Sequence, residues 1–306
     1  MAEKEQQHIV PATFLRQFEI KNHKNPNHVW CIDFTDKYNN EPKPKGVNSS
    51  IFKIKNFYSL NNPEYRLVLE NFYSQKLEPT YNDILKEVTQ EINLSEINRV
   101  RLIEWILHSN QRTEYYRNNI ERISKWLIEM NIRFESIKKE INPEEEIKKY
   151  SSEIQKESKS IAKEVQINNI LNYEQYDKYI ELFINELSTK KWTIFKASKD
   201  FPFIANDNPG FSLNVSHLNR KKIFNSTIHL NHPSINYLVL SPKYCLYIEP
   251  FKQNDPINLN AFNINIEYKQ IEKKTIDFIN LGTCLTSMKY IISNDLKTIE
   301  KWNKNN

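Results

Sequence analysis

Three short stretches of this 306-residue chain carry side chains suited to handling an anion. His8, in "QQHIVPATFL", stands just before a proline-initiated helix and can move protons near neutral pH. Arg112, in "HSNQRTEYY", offers a planar fork for a phosphate or a carboxylate, including Asp207. Gln111 and His108 flank it as candidate substrate-binding groups. Asp207 and Asn208, in "FIANDNPG", end an apolar run, where a carboxylate could orient His8 and an amide could donate to a developing oxyanion. Each has a plainer reading beside it. His8 can be a packing histidine, Arg112 a structural ion pair with a glutamate, and "NDNPG" an ordinary turn, because Asp and Asn bond local backbone and Pro209 extends the residue before it.

The elements that must position these groups fall into a clear order. "VPATFLRQF" reads as a short helix, "HVWCIDFT" as a strand, and "SIFKIKNFY" as another. A helical middle follows. It is interrupted near Pro79, runs from a Ser95 cap to about Glu140, restarts at "NPEEE", and continues through the charged stretch 147–164. Tyr176, Tyr179, Ile180, Phe183, Ile184 and Leu187 then form a core-facing stripe. After Trp192 the texture turns to short β runs: "WTIFKAS", "FPFIA", "STIHL", "NYLVLS", "YCLYIEP" and "FNINIEY". A helix over about 271–288 leads into "KYIISND", read as an edge strand. The expected fold is α+β, with an antiparallel or mixed sheet built from both chain ends and a long-helix middle packed alongside. The expected organisation is a single domain over 1–306, with a helical insertion at about 64–189.

Read together and in order, these stretches resemble the bacterial domain-of-unknown-function family 4238. The resemblance rests on "HIVPATFLRQF", Phe57-Tyr58 after a strand, Gln111-Arg112-Thr113, and "FIANDNP" followed by "LSP", and it covers most of the chain. Asn206 stands where the family tends to have Ser, and Val239 where it tends to have Pro. The resemblance implies a shared polar site at His8, Arg112 and Asp207, but no particular activity.

Composition narrows the chemistry. Cys31, Cys245 and Cys284 show neither CxxC nor a histidine pairing, so neither a zinc site nor a disulfide framework is expected. Three glycines are too few for most phosphate-cradling loops, and HExxH and GxSxG are missing, so no metal or cofactor is expected. No apolar run approaches a membrane span, and a cytoplasmic location is expected. The net charge of +5, with local patches at 43–45 and 220–222, permits nucleic acid or a phosphate-containing small molecule as partner. Two functions compete. One is a metal-independent hydrolase or nuclease-like effector, such as a toxin or antiviral protein, in which His8, Arg112, Asp207 and Asn208 are catalytic. The other is a non-catalytic binding or interaction module in which they form a structural network, with 147–164 facing a protein partner.

Overall fold

The computed structural model describes residues 6–21, 24–36, 40–59, 67–215, 222–228, 234–251 and 260–303. The N-terminal part contributes β1 (Gln6–His8), α1 (Ala12–Leu15), β2 (His28–Asp33), β3 (Lys43–Gly46) and β4 (Lys53–Lys55). The helical middle holds α2 (Val68–Phe72), α3 (Glu78–Thr89), α4 (Glu96–Gln111), α5 (Glu114–Lys138), α6 (Pro143–Lys149), α7 (Ser151–Leu171) and α8 (Tyr173–Ser188). The remainder supplies β5 (Lys190–Lys196), β6 (Ala205–Asn206), β7 (Phe211–Val215), β8 (Lys222–Asn225), β9 (Ile235–Val239), β10 (Tyr244–Pro250), β11 (Glu267–Gln270), α9 (Lys273–Leu285), β12 (Tyr290–Ser293) and α10 (Leu296–Lys301).

The fold is α+β, and among the described residues its strands form three sheets. A mixed six-stranded sheet, ordered β11-β5-β10-β9-β7-β8, comes wholly from the C-terminal part. Among its described strands only β11 runs parallel to its neighbour. An antiparallel four-stranded sheet, β3-β2-β12-β6, joins the two ends of the chain, and β1 pairs with β4 separately. The N-terminal strands therefore meet the C-terminal half through β12 and β6, not through the larger sheet. That makes "KYIISND" an interior strand rather than an edge. Ile291 pairs with Ile32 on one side and Asn206 on the other, and every residue of β12 is buried. Four consecutive buried positions leave no alternation to read, so periodicity alone hides a strand of this kind.

The helices follow their local signals with two departures. The run expected from Ser95 to Glu140 is two helices. Thr113 takes an extended conformation and its hydroxyl accepts from the Tyr116 amide at 3.1 Å, which ends α4 and starts α5. A threonine cap is a weak stop signal without glycine or proline, and tertiary contacts of Arg112 complete the break. Between α2 and α3 the chain stays helical through a π-turn at Tyr73–Leu77, just before Pro79. The wider turn accommodates a residue with no amide hydrogen. Asn142 caps α6 as its sequence requires, accepting from the Glu144 amide. "STIHL" forms no strand over 226–228; the strand lies earlier, at β8. "FNINIEY" starts with a 3₁₀ turn, is extended by Ile264, and pairs as a strand only from Glu267. Of the basic patch at 220–222, Arg220 and Lys221 lie outside the described residues.

One apolar cluster joins Phe14 and Phe18, Tyr58 and Tyr81, Trp105, Leu246 and Ile292, so it draws on both ends and the helical middle. Two glycines are dictated by packing. At Gly210, with φ of +75°, a Cβ would lie 2.9 Å from the Tyr237 carbonyl; at Gly282 it would meet the Phe211 ring. The α8 stripe is shallower than its spacing suggests. Leu187 is fully buried and Ile180 nearly so, but Phe183 and Ile184 are half-buried and Tyr179 is 40% exposed. Leu187→Ala should therefore cost about 2–5 kcal/mol, the range for an emptied core position. Phe183→Ala should cost less despite removing more atoms. Denaturant melts of the two variants check this, and the reverse order would show that α8 packs differently.

Candidate functional site

Arg112 sits at the end of α4 and is fully buried. Its Nη2 donates to the backbone carbonyl of His8 at 2.8 Å, and its Nη1 pairs with Glu78 at 3.2 Å. The guanidinium lies 4.5 Å from the centre of the Tyr73 ring, which the π-turn presents. The Arg112 carbonyl accepts from the Tyr58 hydroxyl at 2.6 Å. Burial works against the charge, but Tyr58, Glu78, Tyr73 and Glu70 outweigh it and hold the guanidinium above the ordinary arginine range. The motif stretches thus converge, though on a main-chain oxygen: Arg112 grips the His8 backbone, and its carboxylate partner is Glu78 instead of Asp207.

The neighbouring arginine extends the same clasp. Arg117 lies over the Phe57 ring, donates from Nη2 to the Phe57 carbonyl and from Nε to Gln166, both at 2.6 Å. Gln166 in turn donates to the Gln111 carbonyl, while the Gln111 side-chain oxygen has no partner among the described residues. Gln7 is buried, accepts from the Tyr58 amide, and donates to Ser59. Phe57-Tyr58 and Gln111-Arg112-Thr113 are therefore two halves of one joint. Glu78, Arg117 and Gln166 belong to it without any sequence signal, because each reaches it from a different helix.

The histidines are buried to different degrees. The His8 ring is partly exposed, and its Nδ1 lies 3.2 Å from the Val10 carbonyl. Burial, then the charges of Lys53 and Arg112, lower its pKa to about 4. His108 is fully buried and stacks on Tyr176, with Nε2 at 2.9 Å from that hydroxyl. Burial and Arg112 take it down to about 3. Both rings are neutral at pH 7.

Asp207 and its neighbours form a second clasp. Its carboxylate accepts from the amides of Met288 at 3.0 Å and Lys289 at 2.8 Å, where the chain leaves α9 for β12. Burial raises its pKa to about 6 against the pull of those amides. Asn206 donates to the Thr283 carbonyl at 2.7 Å and accepts from the Asn208 amide; Asn208 donates to the Ser226 carbonyl. The stretch is a turn whose side chains staple β6 to the end of α9. No hydrogen bond or ion pair joins Asp207 to His8 or Arg112 among the described residues. The two clasps meet across a cavity of about 10 Å³ lined by Ile9, Val10, Pro11, Ser109, Asn206 and Asp207, among others. That is no larger than one water. "LSP" is scaffold: the Leu240 carbonyl accepts from Tyr81 at 2.6 Å, and Ser241 caps its own turn. Among the described residues no group of three or more His, Cys, Asp or Glu could hold a metal ion.

A larger space lies elsewhere. A cleft of about 800 Å³ opens between β2, the 199–202 loop, α9 and α10. It is lined by Lys21, Lys199, Lys273, Lys297 and Lys301, against Asp200, Asp277 and Asp295. Asp277 is occupied by Lys301 at 2.6 Å, and Asp295 accepts from the amide and hydroxyl of Thr298, both at 2.8 Å. Lys21, Lys199 and Lys297 have no ion pair among the described residues. Trp30, Phe201 and Trp302 also line it, with the Lys273 ammonium 4.6 Å from the Phe201 ring. Asn294 Oδ1 and Trp302 Nε1, in two lining side chains, have no hydrogen-bond partner among the described residues. Sequence reading missed this cleft because its five lysines come from four separate segments, with Lys297 and Lys301 sharing α10.

The buried titratable groups set the acid response. His8 and His108 have pKa values below 6.5, so the unfolded chain binds more protons than the folded one below that pH, and stability falls with pH. Asp207, raised to about 6, acts in the opposite sense between about pH 4 and 6, but it is one group against two. Stability should therefore drop as pH falls from about 6.5 to 4, and His108→Gln should flatten the drop. Melting temperatures across that range test it; a protein that gains stability on acidification would show the histidines are not held neutral.

No curated protein and no solved structure matches the chain. The profile of a family described as "Protein of unknown function (DUF4238)" matches residues 6–297, from β1 to α10, and so includes both clasps. The chain is a member of the DUF4238 family.

Proposed function

We propose that the protein is a binding module for a phosphate-bearing small molecule with a planar ring, and that the His8–Arg112 and Asp207 clasps are its scaffold. The observation that carries this reading is the contrast in space. The cavity between the clasps holds about 10 Å³, whereas the lysine-lined cleft holds about 800 Å³. Small-molecule sites fall at about 300–1,000 Å³. Lysine is a point-charge phosphate binder, and three of those in the cleft make no ion pair among the described residues. The aromatic side chains supply a stacking surface for a base or similar ring.

The second reading is the metal-independent hydrolase or nuclease-like effector. It is supported by His8, whose ring is neutral and partly exposed, and by the Asp207 carboxyl, which lines the small cavity beside Ile9 and Val10.

Calorimetry with ADP as probe, and with pyrophosphate and adenosine as its halves, tests the first reading. ADP should bind, pyrophosphate more weakly, and Lys199→Ala/Lys297→Ala should weaken ADP by about tenfold or more. Silence from ADP and pyrophosphate alike, or an unchanged double variant, would overturn it. Asp207→Asn separates the two readings. As scaffold it loses one of two acceptor bonds and should cost about 1–3 kcal/mol without affecting ADP. As catalyst it should abolish cleavage of a phosphodiester while the melting temperature stays put.

A further inference from the structure

We infer that the exposed face of α5 is a seam for a second copy of this chain, so that the protein pairs through two-fold symmetric helix packing. The inference goes beyond the ligand reading and does not depend on it. Helix α5 packs against α7 on one side, where Ser124 and Ser136 are buried and α7 contributes Ile154, Ser158 and Ala162. On its other side stand Ile123, Leu127, Met130, Phe134 and Ile137, followed by Ile141 just beyond the helix. These six side chains are 45–68% exposed, and Trp126 beside them is 57% exposed. A solvated helix face has no use for such residues.

Their spacing says what covers them. Within the helix, from Ile123 to Ile137, the steps are four, three, four and three residues, the alternation of a and d positions in a heptad. A period of 3.5 keeps a narrow apolar line facing a second helix, whereas an ordinary core-facing stripe drifts at 3.6. The amount of surface also fits. Seven large apolar side chains at these exposures offer on the order of 800 Å² per chain, what one partner of a standard interface buries. Isolated monomers rarely leave more than a few hundred Å² of contiguous apolar surface to water. Charge argues against a lipid surface: α5 carries five basic and four acidic residues, not the cationic polar face of an interfacial helix. A two-fold axis across the seam sets the same apolar line of each copy against the other, so one chain supplies both halves. With the copies antiparallel and centred on the same point, Leu127 faces Ile137 and Met130 faces Phe134, with Ile123 and Ile141 at the two ends of the seam.

Sedimentation equilibrium of the full chain tests this, with Phe134→Asp and Ile137→Lys as separate variants. Both positions are solvent-exposed in the single chain, so circular dichroism should be unchanged in each. Wild type at micromolar concentration should have the mass of two chains and each variant the mass of one. A wild type that stays at one chain, or variants that still pair, would overturn the proposal. So would a single-chain wild type that co-sediments with phosphatidylglycerol vesicles, which would assign the seam to a lipid surface.

Discussion

Removing Arg112 from water costs several kcal/mol unless every charge and hydrogen bond around it is matched. The structure supplies most of that match from four separate places in the chain: Glu78 on α3, the His8 carbonyl on β1, the Tyr73 ring in the π-turn, and Tyr58 on the carbonyl side; the Arg112 Nε alone of the guanidinium nitrogens has no hydrogen-bond partner among the described residues. Each of these is thereby held in position. The N-terminal strand is tied to the helical middle, and the break between α4 and α5 is fixed where Thr113 caps the second helix. Arg117, Gln166 and Gln7 repeat the device on a smaller scale. A charge enclosed in this way specifies one arrangement, because any slip leaves it unpaired.

Asp207 plays the corresponding part at the other end of the molecule. The turn from α9 to β12 leaves two amides pointing inward, and the carboxylate takes both. That places β12 between β2 and β6, which closes the sheet shared by the two chain ends. The lysine cleft lies beside this sheet, bordered by β2, α9 and α10. The polar residues that stand out in the sequence thus act chiefly on backbone, and the lysine-lined cleft is built from side chains that do not stand out. The exposed seam on α5 is farther along the same helix that Arg112 helps to start, so the clasp also sets where the apolar face is presented.

The sequence by itself determined the α+β class, the helical middle, the Asn142 cap and restart of α6, and the membership of "HIVPATFLRQF", "QRT" and "FIANDNP" in one family pattern. Those are local or ordered signals: periodicity, capping chemistry and short motifs survive without knowledge of distant contacts. The "NDNPG" stretch was legible as a turn for the same reason. Tertiary structure alone decided that Arg112 reaches Glu78 and the His8 carbonyl, that β12 is interior, that Phe183 is only half-buried, and that lysines from four separate segments line one cleft. A side chain's partner depends on which elements pack together, and its local sequence carries no record of the carbonyls and carboxylates that packing brings within reach.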